Sequence, residues 1–312
     1  MGEFDLIERY FKRPARRAVL GVGDDCALLQ PSAGMQLAIS SDMLVKGRHF
    51  FPDVDPAALG HKALAVNLSD LAACGATPVA FTLALALPRA DEAWLKGFST
   101  GLLALADAHG CELVGGDTTQ GPLNICITVF GEVPVGQALL RSGAKVGDDI
   151  YVSGSLGDAR LALEALRGQV TLPADVLAAA RLRLERPEPR LALGQALRGI
   201  ATSAIDISDG LIGDLGHILK ASGVGATLDT DAALPLMRAA DKRLDYVLSG
   251  GDDYELAFTA PPSARQAVEA AATRAGTAVT RAGRIEQQPG LRLADAQGRP
   301  VAGDFRSFDH FA

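Results

Sequence analysis

A short acidic phrase occurs twice in this chain, once in each half. The first copy is Asn67-Leu68-Ser69-Asp70 and the second is Asp206-Ile207-Ser208-Asp209. Each copy follows an apolar run and precedes, by about forty residues, two glycines and an aspartate, at Gly115-Gly116-Asp117 and Gly250-Gly251-Asp252. Apolar runs that end in carboxylates, combined with glycine-rich acidic turns, can gather several oxygen ligands around a cation. The repeated arrangement therefore predicts a chain of two parts built around bound cations.

The length and composition indicate a globular protein of two domains. With 312 residues, the chain is long enough for two domains of about 150 residues each. The longest apolar run, Val79 to Leu87, is shorter than the roughly 20 residues that a membrane-spanning helix needs, so it predicts a buried strand. The N-terminus, Met1 to Asp5, has acids where a signal peptide carries basic residues. We therefore expect no membrane association, no export and a cytoplasmic location.

The cysteines and the net charge exclude several classes of function. Four widely spaced cysteines without a CxxC pair indicate neither a zinc site nor a disulfide framework. A net charge of -7 argues against nucleic acid as a partner, because a phosphate backbone requires clustered Lys and Arg. The many carboxylates would also repel a small phosphate ligand unless divalent cations intervened. A phosphate substrate would therefore imply a bound metal.

The alternation of helical and extended patterns predicts an α+β fold of two domains, each a mixed sheet with helices packed on it. The polar stretch from 135 to 148 contains glycines and is typical of a domain junction, so we expect domains at 1–138 and 139–312. A long helix from Pro56 to Cys74 would contain Asp70. The second acidic phrase would lie between a strand, Ser203 to Ile207, and a helix, Leu211 to Ala221.

Oxygen-bearing side chains accumulate at predicted strand ends and turns in the first half. Ser40-Ser41-Asp42 ends a predicted strand and offers oxygens that suit Mg²⁺. Gly21 to Asp25 places flexible backbone beside two acids, although an ordinary surface turn has the same composition. The polar residues around Asp70 need compensating partners because they interrupt an apolar helix. His49 stands alone, and a lone histidine is more often a hydrogen-bonded structural residue than a ligand.

Three further segments have a functional and a structural interpretation. Gly115 to Thr119 follows a short predicted strand and would form either a phosphate- and metal-binding turn or a tight hairpin connection. Arg141 could bind a phosphate through two hydrogen bonds or be a solvated linker residue. Ser208 and Asp209 lie where a strand meets a helix N-terminus, which favours bound anions and metals, but either could simply cap the helix. Asp214, further along that helix, is expected to be solvated, as is His217.

Six motifs then occur in one order along essentially the whole chain. They are Gly21-Val22-Gly23-Asp24-Asp25-Cys26-Ala27, Ser40-Ser41-Asp42, Asn67-Leu68-Ser69-Asp70-Leu71, Gly115-Gly116-Asp117-Thr118, Asp206-Ile207-Ser208-Asp209-Gly210-Leu211 and Gly251-Asp252-Asp253-Tyr254-Glu255-Leu256. Each motif alone is weak, but the ordered set resembles the thiamine-monophosphate kinase family of the aminoimidazole ribonucleotide synthetase superfamily. The resemblance implies an N-terminal domain that binds ATP and metal and forms the dimer, and a C-terminal domain that completes the active site.

The resemblance also implies a reaction and its ligands. The reaction is the ATP- and Mg²⁺-dependent phosphorylation of thiamine monophosphate to thiamine diphosphate, by direct in-line transfer of the γ-phosphate. Several Mg²⁺ ions, ATP as co-substrate and a homodimer are implied with it. Because the attacking phosphate oxygen is already ionised, the transfer needs charge neutralisation and alignment but no general base.

The resemblance assigns roles to individual residues. The implied metal positions are Asp25, Ser40, Ser41, Asp42, Asp70, Asp117, Asp206 and Asp209, and of these Asp42, Asp70 and Asp209 are expected to carry catalysis. The implied nucleotide positions are Gly116, Asp117, Arg141 and Ser208, and the implied positions near thiamine phosphate are His49, Asp252 and Phe308. Two residues depart from the family pattern. Asp252 replaces a common Glu and so has a shorter reach, and Ser41 replaces a common Thr but keeps the hydroxyl.

Two other functions are compatible with these residues. One is the ATP-dependent synthesis of a different phosphorylated metabolite by a member of the same superfamily. The other is a non-catalytic protein that binds divalent cations or nucleotides. Retention of every expected acid except the Glu-to-Asp change at Asp252 argues against this second alternative.

Overall fold

The computed structural model of the chain describes residues 2–23, 25–240, 242–303 and 305–308. Asp24 and the ending Asp309 to Phe311, which match the resemblance, lie outside the described residues. The chain forms two compact units, Met1–Leu71 with Ala76–Gly136 and Ala72–Gly75 with Gln137–Ala312. Each unit has one mixed sheet with helices, which confirms the predicted α+β class. Within the described ranges, no helix combines the length and the apolar character needed to cross a membrane.

The first unit is built on a four-stranded sheet in the order β1-β4-β2-β3. Strands β2 and β3 run parallel, whereas β4 pairs antiparallel with both β1 and β2. The elements in chain order are α1 (Glu3–Tyr10), β1 (Met35–Val45), α2 (Pro56–Ala73), β2 (Thr77–Leu87), α3 (Glu92–Ala108), β3 (Glu112–Gln120) and β4 (Asn124–Pro134).

Helix α2 is the predicted long helix, and it is the buried centre of the first unit. Its residues 63–69 are all buried, although they include Asn67 and Ser69. Helix α3 crosses α2 at two glycines. A Cβ atom on Gly101 would lie 1.9 Å from the carbonyl oxygen of Ala57, and one on Gly60 would lie 2.1 Å from that of Phe98. The absence of these two side chains therefore sets the distance between the helices.

Replacing Gly101 by alanine is expected to destabilise the protein by at least about 1–3 kcal/mol, because the new methyl group overlaps backbone that cannot move alone. Gly216 is a matched control, since it also lies in a helix and its Cβ position has no neighbour within 4 Å. Gly216→Ala should leave stability unchanged or raise it by about 0.5–1 kcal/mol. Thermal unfolding followed by circular dichroism would compare the two. Equal unfolding midpoints for both variants would contradict the role of the helix crossing.

The segment Gly115 to Thr119 lies inside β3 and does not form a turn, so both turns expected there are wrong. Gly116 has a φ of 143° and its Cβ position would lie 1.9 Å from the carbonyl oxygen of Leu83 on β2. Glycine is therefore required for the close approach of β3 to its neighbour. The strand continues as far as Gln120, and residues 115–120 pair in parallel with β2. A tight hairpin at 115–119 would have ended the strand before these residues.

The second unit is built on a six-stranded sheet in the order β10-β7-β9-β5-β8-β6, in which β7 and β10 are parallel and the other pairs antiparallel. Its core includes Ile150, Ile205 and Leu215. Its elements are β5 (Asp149–Ser153), α4 (Asp158–Leu166), α5 (Ala174–Glu185), α6 (Leu191–Ala196), β6 (Ser203–Ile207), α7 (Leu211–Ser222), β7 (Gly225–Asp229), α8 (Thr230–Ala233), α9 (Leu244–Ser249), β8 (Glu255–Ala260), α10 (Arg265–Ala275), β9 (Val279–Glu286) and β10 (Gly290–Ala294), with 3-10 turns at Leu234–Leu236 and Pro262–Ala264.

Candidate active site

Strand β1 and helix α2 bring three of the expected metal positions together in the first unit. Ser40 and Asp42 lie two residues apart and so share one face of the strand, while Asn67 and Asp70 share one face of the helix. The hydroxyl of Ser40 donates to Oδ2 of Asp70 at 2.5 Å. The N–H of Asp42 donates to Oδ1 of Asn67 at 3.0 Å, and the Asn67 amide donates to the carbonyl of Ala63 at 2.9 Å. These bonds are the partners that the polar residues of an apolar helix require.

The chemistry of this β1–α2 group suits a hard cation. Ser40, Asp42 and Asp70 contribute only oxygen atoms, and all three residues are half-buried. No three His, Cys, Asp or Glu side chains of the described chain are grouped closely enough to hold a metal ion by themselves. Mg²⁺, however, keeps several water molecules and is commonly held by one or two carboxylates together with substrate phosphates. The donor set therefore fits Mg²⁺ that binds together with a phosphate ligand.

Ser41 points to the opposite face of β1. Its hydroxyl donates to the carbonyl of Ile127 at 3.1 Å and lies 3.0 Å from the Thr128 hydroxyl. Within the first unit, the structure therefore does not bring the Ser41 side chain to Asp42 and Asp70. The alternation of side chains along a strand is a sequence signal that separates Ser41 from its two neighbours.

Asp117 and Gly116 lie on β3, at the other edge of the sheet from β1. The register pairs Asp42 with Ile127, Ile127 with Leu83 and Leu83 with Gly116, so these residues form one row across the sheet. The row spans three inter-strand spacings, or about 14 Å. Asp117 is one residue beyond the row and faces the same side as Ser41. The first unit thus places Asp117, an exposed residue, away from the β1–α2 group.

The two remaining candidates of the first unit lie in loops. Asp25 is exposed in the loop between Leu20 and Leu28, which are joined by an antiparallel bridge. His49 follows β1, and its Nδ1 accepts the N–H of Val45 at 3.0 Å. A neutral His49 ring would therefore carry its proton on Nε2. This backbone bond supports the structural interpretation of His49.

The second acidic phrase lies at the turn between β6 and α7, as predicted, but a residue expected to be solvated shapes that turn. Asp214 is only 3% exposed. Its Oδ2 accepts the N–H groups of Ser208, Asp209 and Gly210, each at 3.1 Å. Burial, together with the charge of the Asp209 carboxylate, raises the pKa of Asp214 to about 6, against the lowering effect of the Asp209 N–H. The expectation of a solvated Asp214 is wrong.

One other expectation for this turn is overturned. Gly210 is the N-cap residue of α7 and no side chain caps the helix there, so the capping interpretation of Ser208 or Asp209 is wrong. The N–H groups of Ser208, Asp209 and Gly210, which precede the first helical residue Leu211, bind the Asp214 carboxylate. The carboxylate of Asp209 and the hydroxyl of Ser208 therefore become the groups of this turn that can reach a ligand. Asp206 lies just before them on β6 and is buried.

Asp252 lies beside the turn at 207–210. The N–H of Asp252 donates to the carbonyl of Ser208 at 2.8 Å, and the N–H of Tyr254 donates to that of Ile207 at 2.8 Å. Asp252 and Tyr254 have positive φ angles of 60° and 51°, which are uncommon for residues other than glycine and concentrate at functional sites. The Tyr254 hydroxyl donates to Oδ1 of Asp252 at 3.2 Å. The structure thus brings Asp252 to Ser208 and orients its carboxylate.

Phe308 also contacts this turn, whereas Arg141 does not. The N–H of Phe308 donates to the carbonyl of Asp209 at 3.1 Å, and the Phe308 residue is exposed. The carbonyl of Arg141 accepts the hydroxyl of Ser222, the last residue of α7, at 3.3 Å. The turn with Ser208 precedes the first residue of this 12-residue helix, which is about 18 Å long. Within the second unit, Arg141 and Ser208 therefore lie at opposite ends of α7.

A buried ion cluster next to Asp252 was not anticipated from the sequence. Glu255 is 0% exposed and accepts Nε and Nη2 of Arg190, both at 2.6 Å, and Nη2 of Arg183 at 2.8 Å. The hydroxyl of Ser153 donates to the same carboxylate at 2.6 Å. The bonds to Glu255 raise the pKa of Arg190 although burial, the largest influence, lowers it. An acid that begins a buried strand, β8, and is followed by the apolar residues Leu256 to Phe258, is the signal that could have indicated this cluster.

Asp253 anchors the turn that carries Asp252. Both of its carboxylate oxygens accept the N–H of Gly157, each at 3.1 Å. Burial raises the pKa of the Asp253 carboxyl well above its usual value, against the opposing effects of the Gly157 N–H and the Arg183 charge. Asp253 thus faces the interior of the unit while Asp252 faces the turn at 207–210.

Comparisons with known proteins agree on one family. The family described as AIR synthase related protein matches with its N-terminal domain over residues 23–133 and its C-terminal domain over residues 145–296. The thiamine-monophosphate kinase of Salmonella typhimurium is 49% identical over 322 residues, which cover 100% of this chain and 98% of that protein. The structure of thiamine-monophosphate kinase from Stenotrophomonas maltophilia K279a has a TM-score of 0.83 and 47% identity, and the match covers 91% of this chain and 92% of that one. A structure described as AaThiL complexed with AMPPCP and TMP has a TM-score of 0.78 and 28% identity, with 90% and 89% covered.

Proposed function

This chain belongs to the thiamine-monophosphate kinase family, and from that premise we propose that it transfers the γ-phosphate of ATP to thiamine monophosphate, forming thiamine diphosphate and ADP. The family resemblance found in the sequence is thereby confirmed. The full-length identity to the Salmonella typhimurium kinase carries the proposal. It is supported by the similarity to AaThiL, whose complex contains AMPPCP, an ATP analogue, together with TMP.

The reaction exchanges one phosphate bond for another. An ionised phosphate oxygen of thiamine monophosphate attacks the γ-phosphorus of ATP, and the bond between this phosphorus and the bridging oxygen to the β-phosphate breaks. The electron pair leaves with ADP. Since the attacking oxygen carries no proton at neutral pH, the side chains need only neutralise and align the phosphates. Carboxylates and hydroxyls of the kind found here suit that task when cations are bound.

We propose that Mg²⁺ binds at Asp42 and Asp70, with Ser40 orienting Asp70, and at Asp206 and Asp209 in the second unit. When bound, Mg²⁺ supplies positive charge that neutralises the phosphates and holds them in line. The short Ser40–Asp70 bond keeps one carboxylate oxygen in a fixed direction before any ligand binds. The resemblance adds three further metal positions, namely Asp25, Ser41 and Asp117.

The ligand-binding roles implied by the resemblance are proposed for the same residues. ATP would contact Gly116, Asp117, Arg141 and Ser208, and thiamine monophosphate would contact His49, Asp252 and Phe308. Asp252 has a shorter side chain than the Glu common in the family. The bond from the Tyr254 hydroxyl gives its carboxylate a defined direction, which supports a binding role despite the shorter reach.

The proposed function is tested by measuring ADP release and thiamine diphosphate formation with ATP, Mg²⁺ and thiamine monophosphate. Thiamine diphosphate should accumulate in a one-to-one ratio with ADP, and unphosphorylated thiamine should not replace the acceptor. No thiamine diphosphate at any Mg²⁺ concentration would exclude this function. Faster ADP release with another acceptor would favour a different reaction of the same superfamily, and nucleotide binding without turnover would favour a non-catalytic binding protein.

We further propose that the protein is a cytoplasmic homodimer whose contact includes the outer face of β1. Met35, Leu37, Ile39 and Met43 alternate along this edge strand, and all four are exposed. A row of exposed apolar side chains on an edge strand is typical of an interaction surface. The four cysteines, all of which are described, form no disulfide with one another, which is compatible with a reducing compartment.

Replacing Ile39 by aspartate is expected to convert the dimer to a monomer, because it places a charge in the centre of this apolar row. Ile39 is 60% exposed, and Leu182 on α5 is a matched control with 58% exposure. Leu182→Asp should leave the dimer intact. Sedimentation velocity at micromolar concentration would distinguish the two species. An Ile39→Asp variant that still sediments as the wild-type dimer would remove β1 from the proposed interface.

A further inference from the structure

The carbonyl groups of the turn at 207–210 and three of its N–H groups are hydrogen-bonded within the second unit. The carbonyls of Ile207, Ser208 and Asp209 accept the N–H groups of Tyr254, Asp252 and Phe308, respectively. The N–H groups of Ser208, Asp209 and Gly210 all donate to one oxygen of Asp214. The partners on the carbonyl side come from two distant segments of the chain. The N–H groups share a single partner, the Asp214 side chain. One substitution at Asp214 therefore removes all three of these hydrogen bonds.

We propose that Asp214 is a positioning residue for phosphate transfer, because its carboxylate binds the N–H groups of Ser208, Asp209 and Gly210 just before α7 and thereby directs the Ser208 and Asp209 side chains toward the ligands. This inference rests on the proposed function. Successive N–H groups that converge on one point can bind a phosphate or another anion. With Asp214 in that position, the N–H groups of Ser208, Asp209 and Gly210 are already bonded and do not serve a substrate phosphate. The turn would therefore reach the phosphates through the Asp209 carboxylate, with bound cations, and through the Ser208 hydroxyl.

The geometry distinguishes this role from ordinary helix capping. A capping side chain usually precedes its helix and satisfies one N–H of the first turn. Asp214 lies inside α7 and reaches back to three N–H groups, two of which belong to the candidate ligand-binding residues Ser208 and Asp209. Loss of the carboxylate would leave three donors without their acceptor and let the turn rearrange. A shift of about 1 Å at reacting groups can lower a rate about a hundredfold.

The test compares Asp214→Ala and Asp214→Asn with Asp158→Ala and Asp158→Asn. Asp158 is a matched control because it is also buried at a helix start and accepts two backbone N–H groups, those of Arg238 and Ala239. We expect kcat per folded molecule to fall about a hundredfold in Asp214→Ala. In Asp214→Asn it should fall about tenfold, since a neutral oxygen accepts more weakly. Both Asp158 variants should keep kcat within about threefold, a margin typical of context effects.

Two readouts separate positioning from general stabilisation. Formate should restore part of the kcat of Asp214→Ala, because it can refill the carboxylate position. It should not affect the kcat of Asp158→Ala. Chloride at the same ionic strength is the reference. Hydrogen exchange measured by mass spectrometry should be faster in residues 205–213 of Asp214→Ala than in the wild type, with the rest of the chain unchanged. If Asp214→Ala does not fold, the kcat and local exchange of Asp214→Asn decide the question.

Three outcomes would overturn the inference. They are an unchanged kcat in both Asp214 variants, an equal loss of kcat in the Asp158 variants, and faster exchange spread over the whole second unit. Hydrogen exchange does not depend on turnover. If the wild type fails to form thiamine diphosphate, the proposed function fails, while exchange confined to residues 205–213 would still support Asp214 as the residue that holds the turn.

Discussion

Asp70→Asn is expected to lower kcat for thiamine monophosphate phosphorylation by at least about a hundredfold while the fold persists. The substitution removes one negative charge from the β1–α2 group and keeps the size of the side chain. A bound divalent cation stabilises a phosphate transition state by several kcal/mol, and each 1.36 kcal/mol corresponds to a tenfold change in rate. The asparagine oxygen can still accept the Ser40 hydroxyl, so the contact between β1 and α2 should survive.

The measurement combines steady-state ADP release with circular dichroism and a titration of Mg²⁺. Asp107→Asn is a suitable control in the same unit, because it removes a carboxylate that pairs with Arg13 on the surface. It should retain wild-type kcat. Ser40→Ala should give an intermediate loss, since Asp70 would keep its charge but not its fixed direction. Near-normal turnover in Asp70→Asn with an intact spectrum would refute the metal-binding role.

The largest loss of stability is expected for Arg190→Met. This substitution removes two hydrogen bonds from Glu255 and leaves its carboxylate buried with Arg183 as the remaining charged partner. Breaking a buried ion pair from one side typically lowers the free energy of unfolding by about 3–5 kcal/mol, because a charge remains desolvated without compensation. We expect the free energy of unfolding to fall by an amount in this range. Denaturant-induced unfolding of the second unit would measure it.

Arg181→Met is the matched control for this prediction. Arg181 lies on α5, two residues before Arg183, and pairs with Glu185 while its side chain is 41% exposed. Exposed pairs of this kind contribute about 0.3–0.5 kcal/mol. An equal loss of unfolding free energy in Arg190→Met and Arg181→Met would show that the burial of Glu255 does not explain the stability contributed by Arg190. The double variant Arg190→Met with Glu255→Gln should recover part of the loss, since the uncompensated charge is then absent.

The regular elements could be predicted because their signals are local. The apolar pattern from Pro56 to Cys74 predicts α2, and the strand-to-helix change around Asp206 predicts the turn before α7. Local rules also place Ser40 and Asp42 on one face of β1, and Asn67 and Asp70 on one face of α2. The contact between Ser40 and Asp70, in contrast, depends on how the strand meets the helix. The sequence could even have separated Ser41 from this group, because neighbouring residues of a strand face opposite sides.

The contacts that were missed depend on the tertiary fold. Gly115 and Gly116 look like a turn because glycine favours turns, yet Gly116 serves the close approach of β3 to the backbone of Leu83. Asp214 has the spacing of a solvated helical residue, and only the path of the turn shows that its carboxylate lies under three N–H groups. The two arginines that surround Glu255 come from segments about 65–72 residues away, so no window of sequence connects them.

The hydrogen-bonded backbone at 207–210 has a consequence for the thermodynamics of ligand binding. Loops that become ordered when a ligand arrives lose backbone conformational entropy at that moment, at about 1–2 kcal/mol per residue. In this protein, the backbone of the turn is already ordered in the folded chain, so a ligand there would restrict mainly the side chains of Ser208 and Asp209. Immobilising a side chain costs about 0.5–1.5 kcal/mol or less. The backbone entropy of this turn is therefore lost during folding. The affinity for the nucleotide should depend little on any further ordering of the turn.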